Sequence, residues 1–199
     1  DPKMKKQVYN NPDDYNIDVY NMSPFRYESV YLGTPAMYHA VGKNTINNTD
    51  GFHLIELVSS RDLKNWIRQG DREAFIPLSP IGAGAYDTVQ MIGPASAVVR
   101  GNELWFYYTS AKYRCRPVRV EPDNAAISLA VLRRDGFISL DAGEQAGTIQ
   151  TEPFKLPGTK LFVNVDALNG DLRIELLNGD GKVVAKSEPL TGDLLHEPV

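Results

Sequence analysis

Tyr27-Glu28-Ser29-Val30 returns as Tyr86-Asp87-Thr88-Val89, and the Pro35-Ala36 pair behind the first copy returns as Pro94-Ala95, all at one offset of 59 residues. A fixed offset between like segments is the sign of stacked supersecondary units, each unable to bury its apolar face alone. In both copies a carboxylate stands just ahead of an apolar run, so each strand begins with an acid. Equivalent strands with acids at the same end can bring those acids toward one centre.

The spacing suits a four-stranded propeller blade, and the surrounding sequence is all strand and turn. Residues 30–34 and 36–41 are aromatic and apolar, broken at Gly33 and Pro35. A polar tract at 43–51 reads as a loop, 52–59 as a half-buried strand, Ser60-Arg61-Asp62 as a turn, and Trp66-Ile67-Arg68 as the next strand. In the second unit, 88–100 is an inner strand or pair, Gly101-Asn102 a hairpin turn and 103–110 a dense aromatic strand. Residues 111–124 form a surface loop, and 127–132 lead into Arg133-Arg134-Asp135-Gly136-Phe137. No segment sustains a 3.6-residue apolar period, so little helix is expected. Past Gly143 the texture changes: 148–156, 160–166, 172–177 and 182–187 are short alternating strands divided by Pro157-Gly158, Asn169-Gly170 and Asn178-Gly179, and 190–199 begins another. That spacing suggests a β-sandwich. The expected organisation is an arm or linker over 1–16, a partial β-propeller of about two blades over 17–142, and a β-sandwich over 143–199.

With 199 residues, 42% of them hydrophobic and 23% charged, the chain can bury a sizeable core. A net charge of -4 without a clustered basic face argues against a nucleic-acid surface and leaves a neutral partner such as a sugar easier to fit. No run of about 18 apolar residues exists, so no membrane span is expected. The N-terminal Asp1-Pro2-Lys3-Met4-Lys5-Lys6 lacks the apolar stretch of a signal peptide. Cys115 is the single cysteine, which excludes an intramolecular disulfide and a thiolate metal cluster. His39 and His53 lie on strands without carboxylates at ligand spacing, so neither metal nor cofactor is expected.

The run Tyr27-Glu28-Ser29, then Glu56-Leu57-Val58-Ser59-Ser60-Arg61-Asp62 with Trp66 and Arg68, then Phe75-Ile76-Pro77, resembles the five-bladed β-propeller glycoside hydrolases. The likeness is strongest to bacterial proteins similar to family 32, with families 43 and 68 more distant. Trp105-Phe106-Tyr107-Tyr108, Leu132-Arg133-Arg134-Asp135-Gly136-Phe137 and Gly147-Thr148-Ile149-Gln150-Thr151 extend it over about residues 8–188. The resemblance implies the last blades of a five-bladed β-propeller with an appended β-sandwich, secreted or periplasmic, acting on glycosidic bonds of an oligosaccharide or polysaccharide. It places Glu28 where the family keeps its general acid, and Asp87 in the equivalent place one blade later. Arg26, Tyr27, His39 and Tyr86 are then the substrate-binding candidates. The family's Asn-Asp-Pro and Arg-Asp-Pro motifs have no counterpart: Arg61-Asp62 is followed by Leu63 and Arg134-Asp135 by Gly136. Two blades leave strand edges and apolar faces bare. The chain is therefore expected to be the C-terminal part of a longer protein, or to take its remaining blades from another chain.

Glycoside hydrolysis uses two carboxyl groups, one protonated to release the leaving group and one ionised as nucleophile or base. Glu28 is the candidate acid, since enclosure by Tyr27, Val30 and Tyr31 would favour its neutral form. The competing role for Glu28 is a blade-locking ion pair with Arg26 or another arginine. Asp87 follows Gly82-Ala83-Gly84-Ala85, which would let backbone approach a ligand, and binding of a substrate hydroxyl or strand capping competes with catalysis there. Asp62 and Asp135 read as turn-forming residues. Trp105, Tyr107 and Tyr108 offer faces for stacking on a sugar or for packing between blades. A non-catalytic glycan-binding or assembly module of the same fold is the alternative function, because fold alone does not fix activity.

Overall fold

The computed structural model describes residues 16–43, 49–113 and 122–199. Cys115, most of the expected arm over 1–16, and parts of the loops at 43–51 and 111–124 lie outside the described residues. The described chain is all-β, with one short 3-10 turn at Gly70–Arg72. It divides into two compact units: residues up to Val98 with Trp105–Val131, and Val99–Leu104 with Leu132–Val199.

The first unit opens with β1 (Asn16–Asn21) and β2 (Pro24–Tyr27), and the repeated segment then builds the same antiparallel meander twice. In the first copy β3 (Val30–Gly33) and β4 (Ala36–Lys43) are two halves of one interrupted strand, and β5 (Thr49–Ile55) and β6 (Val58–Ser60) return alongside them. The short β7 (Ile67–Arg68) pairs with β6, while β2 and β1 extend the two halves through β3 and β4. In the second copy β8 (Gln90–Ile92) and β9 (Val98–Arg100) are again two halves, both paired with β10 (Glu103–Ala111), and β10 pairs with β11 (Ala125–Arg133). Gly101 turns β9 into β10 at φ 58.

Proline makes the interruption in both copies, because it has no N–H to give to the ladder. The proline carbonyls remain acceptors. Pro35 O accepts from Glu56 N at 3.0 Å, and Pro94 O accepts from Thr34 Oγ1 at 2.9 Å. That second bond joins the two copies one residue out of step, since the counterpart of Thr34 is Gly93. A Cβ on Gly93 would stand 2.1 Å from Thr34 O, so only glycine fits. Thr34, Pro35 and Pro94 are fully buried.

The core follows the patterning. β4 is buried on both faces from Ala36 to Ala40, as its central place between β1 and β5 requires. On β10 the residues Leu104, Phe106, Tyr108 and Ser110 point inward while Glu103, Tyr107 and Thr109 point out. Phe106 is met by Phe25 at 6.5 Å and edge-on by Phe75 at 5.5 Å between ring centroids. A fully buried phenylalanine of this kind contributes about 2–3 kcal/mol by transfer alone.

The second unit contains β12 (Phe162–Leu172) paired with β15 (Leu190–Pro198), and the hairpin of β13 (Glu175–Leu177) and β14 (Val183–Lys186). The hairpin turn is written in its residues. Asn178 Oδ1 accepts from Asp180 N at 3.0 Å and Lys182 N at 2.9 Å, and Gly181 takes φ 75. An apolar cleft of about 420 Å³ is lined by Leu161, Ile174, Leu176, Ala185, Leu190 and Val199. The strand expected at 148–156 is not formed: its residues are all exposed, and Pro153 interrupts them. Ahead of β12, Arg133 Nη2 donates to Asn164 Oδ1 at 2.6 Å and reaches Asp193 Oδ1 at 2.9 Å, while Asn164 Nδ2 donates to Arg134 O at 2.7 Å.

Candidate functional site

The two strand-head acids stand in like turns with unlike support. Glu28 and Ser29 form the two-residue turn between β2 and β3, where Tyr27 pairs with Val30. Glu28 has φ 49. That conformation favours glycine at the first loop position of such a hairpin, and a residue with a side chain holds it at a cost of about 1–2 kcal/mol. Its carboxylate is exposed, so the enclosure expected from Tyr27, Val30 and Tyr31 is not formed. Arg26 does bond to Glu28, but Nε donates to the main-chain oxygen at 3.1 Å. Among the described residues no ion pair joins that guanidinium to the Glu28 carboxylate.

Asp87 is held from several sides. Its carboxylate Oδ2 accepts from Tyr108 OH at 2.7 Å, and its main-chain oxygen accepts from Ser79 N at 2.9 Å. Next to it, Tyr86 OH donates to Asp123 Oδ1, and Lys112 Nζ sits 4.5 Å over the Tyr86 ring while reaching Asp123 Oδ2 at 3.4 Å. The bond to Asp123 pushes the Tyr86 phenol above its ordinary value, and the same bond holds the Asp123 carboxyl below the usual carboxylate range. Thr88 Oγ1 donates to Lys112 O at 3.4 Å. Ahead of this turn Gly82 and Gly84 take φ 90 and 77, and a Cβ on either would meet nothing within 4 Å. The loop before Asp87 is thus open at both glycines.

His39 belongs to a different part of the sheet. It is buried on β4 and stacked on Phe52, with ring centroids 4.9 Å apart and planes 9° from parallel. Burial pulls its pKa below 6.5, and nearby Glu56 and Arg68 oppose each other in a smaller effect. Glu56 is 2% exposed and takes a two-pronged bond from Arg68, with Nε to Oε2 at 2.6 Å. This pair fixes β7 against the kink between β5 and β6.

The six candidates therefore separate into a hairpin tip with Arg26, Tyr27 and Glu28, a braced strand head with Tyr86 and Asp87, and the buried His39. Among the described residues no hydrogen bond or ion pair joins the Glu28 and Asp87 carboxylates. Each lies six residues, about 20 Å of extended chain, from the contact between Thr34 and Gly93. Asp62 forms a turn, with Oδ1 accepting from Lys64 N at 2.9 Å and Asn65 N at 2.8 Å. Sequence reasoning missed the Tyr108 hydroxyl on Asp87 and the pairing of Glu56 with Arg68. The first had a signal: alternation along β10 sends Tyr108 and Ser110 inward behind Phe106, and an inward hydroxyl needs a partner.

Among the described residues no group of three or more His, Cys, Asp or Glu side chains is placed to hold a metal ion, and no helix is long and apolar enough to cross a membrane. No protein-family model, curated protein or solved structure matches the chain.

Proposed function

We propose that this chain is a carbohydrate-active protein, a glycoside hydrolase acting on oligosaccharides or polysaccharides, whose two meanders are blades of a five-bladed β-propeller and whose second unit is the appended β-sandwich. One observation carries the reading: the same unit of turn, strand and proline occurs twice, each headed by a carboxylate, and in the first copy that acid occupies a turn position better suited to glycine. Backbone strain retained at a polar residue is a reason to look for function there. In the reaction, a protonated carboxyl gives its proton to the glycosidic oxygen as the C–O bond breaks. An ionised carboxylate either bonds to the anomeric carbon or takes a proton from the water that does. Glu28 is assigned to the first role and Asp87 to the second, with Arg26, Tyr27 and Tyr86 beside them for sugar hydroxyls. The remaining blades come from the rest of the same protein or from another chain, and the protein acts outside the cytoplasm.

The exposed carboxylate of Glu28 also favours a second reading, a glycan-binding or assembly module that uses the braced Asp87 head without turnover. Hydrolysis of a panel of 4-nitrophenyl glycosides and plant or marine oligosaccharides, with Glu28→Gln alongside, separates the two. Turnover lost in Glu28→Gln is the expected result. Saccharide binding by both proteins with turnover by neither selects the binding module.

A further inference from the structure

The hydrogen bond that meets Asp87 comes from the inward face of the sheet. Tyr108 OH donates to Asp87 Oδ2 at 2.7 Å. Ser128 Oγ lies 2.7 Å from Ser110 Oγ, and Ser110 Oγ also reaches Ala126 O at 3.4 Å. A serine pair across β10 and β11 thus lies beside the phenol that meets the carboxylate. Tyr108 is 7% exposed and Ser110 fully buried, on the inward face of β10 that otherwise carries Leu104 and Phe106.

The direction of the bond to Asp87 is fixed by the phenol. Burial first, and then the bond to Asp87, push Tyr108 up to about 12. It stays protonated wherever a carboxylate titrates, so it is the donor to Asp87 without reversal. Asp87 Oδ2 is thereby committed. Its Oδ1 takes no hydrogen bond among the described residues, and it is the oxygen left for a ligand.

We infer that Tyr108 is a positioning residue for Asp87, clamping Oδ2 so that Oδ1 is presented in one orientation to a sugar hydroxyl or to the reacting centre. The inference rests on the reading that Asp87 faces a saccharide. A buried hydroxyl that only satisfied itself would need any one acceptor. Here the acceptor is the acid at the strand head, and the neighbouring contacts of Tyr86, Thr88 and the Asp87 main chain hold that acid still.

The test has two arms. In the first, the ¹³Cζ resonance of Tyr108, assigned by its loss in Tyr108→Phe, is followed to pH 11 in wild type and in Asp87→Asn, with circular dichroism at each pH confirming the fold. Wild type should be roughly one tenth ionised at pH 11 and Asp87→Asn measurably more, although burial keeps part of the shift. Equal ionisation in the two proteins overturns the clamp whatever the function is. In the second arm, on any 4-nitrophenyl glycoside that the wild type turns over, Tyr108→Phe should lower kcat about tenfold to a hundredfold, with KM within about twofold, as expected for loss of a bond to a charged group. Phe106→Leu, on the same face but without a bond to Asp87, should lower stability and leave kcat in place. An unchanged kcat in a folded Tyr108→Phe overturns the positioning role. Absence of any turnover by wild type counts against the hydrolase reading, and the ionisation arm still decides whether Tyr108 clamps Asp87.

Discussion

Replacing Gly93 by alanine tests the contact that joins the two repeats. The new Cβ would stand 2.1 Å from Thr34 O, whereas ordinary contact begins near 3.4 Å. Relief needs a movement of more than 1 Å by roughly the difference of those distances, between two stretches of main chain rather than by a side-chain tip. Thr34, Pro35 and Pro94 are all fully buried, so no neighbour can swing into solvent to make room. Overpacking of this sort costs about 1–3 kcal/mol. The same movement lengthens the 2.9 Å bond from Thr34 Oγ1 to Pro94 O, a further loss of about 1 kcal/mol. The expected destabilisation is about 2–4 kcal/mol, read as a lowered midpoint in equilibrium urea unfolding of the first unit. Gly143→Ala is the control, because nothing lies within 4 Å of its Cβ, and it should stay within about 0.5 kcal/mol of wild type. A Gly93→Ala protein as stable as Gly143→Ala would refute the reasoning and, with it, the close approach of the repeats at equivalent residues.

The remaining predictions concern the ion pair and a turn. Arg68→Ala strands the buried Glu56 carboxylate and should cost about 3–5 kcal/mol, while the double replacement Glu56→Leu with Arg68→Met should recover most of that loss; a double variant no better than the single one in urea unfolding would contradict a buried-charge penalty. Asp62 is held well below the usual carboxylate range, first by the backbone N–H of Asn65 and then by that of Lys64. A depressed folded pKa contributes stability above the unfolded value, near pH 4, and loses it as pH falls through the folded one. The stability gap between wild type and Asp62→Ala, followed by thermal unfolding against pH, should therefore be full at neutral pH and close in acid; a gap that widens in acid would be inconsistent with the turn.

The fold was legible where local chemistry decides it. Proline at 35 and 94 breaks strands because it lacks a donor, and Asn178 with Gly181 closes a hairpin through its own side chain and a positive φ. Residues 148–156 carry the same kind of alternation as the strands around them, yet no neighbouring strand lies beside them to complete a ladder. Periodicity tells which face a side chain takes and is silent about what stands opposite. That is why Glu56 and Arg68, 12 residues apart, and Asp87 and Tyr108, 21 apart, were not paired in advance. Each pair depends on strand register, and register is a tertiary fact.

The same limit explains why two nearly identical segments produce two different acids. Tyr27-Glu28-Ser29-Val30 and Tyr86-Asp87-Thr88-Val89 agree in residue type at every position, but the partners that decide each environment come from elsewhere in the chain. For Asp87 they are Tyr108 on β10, Ser79 from the preceding loop, and Lys112 with Asp123 beside Tyr86. For Glu28 the one bond given by Arg26 goes to main-chain oxygen, and the carboxylate stays exposed at a hairpin tip. A site that only binds sugar needs one fixed acceptor, which Asp87 already is. A hydrolase needs a second carboxyl brought to the opposite side of the scissile bond in a less hydrated setting. If the chain is the hydrolase proposed above, its catalysis turns on whether bound saccharide or another part of the protein covers the β2–β3 turn, and Glu28→Gln is informative because it changes the acid without disturbing the turn's backbone.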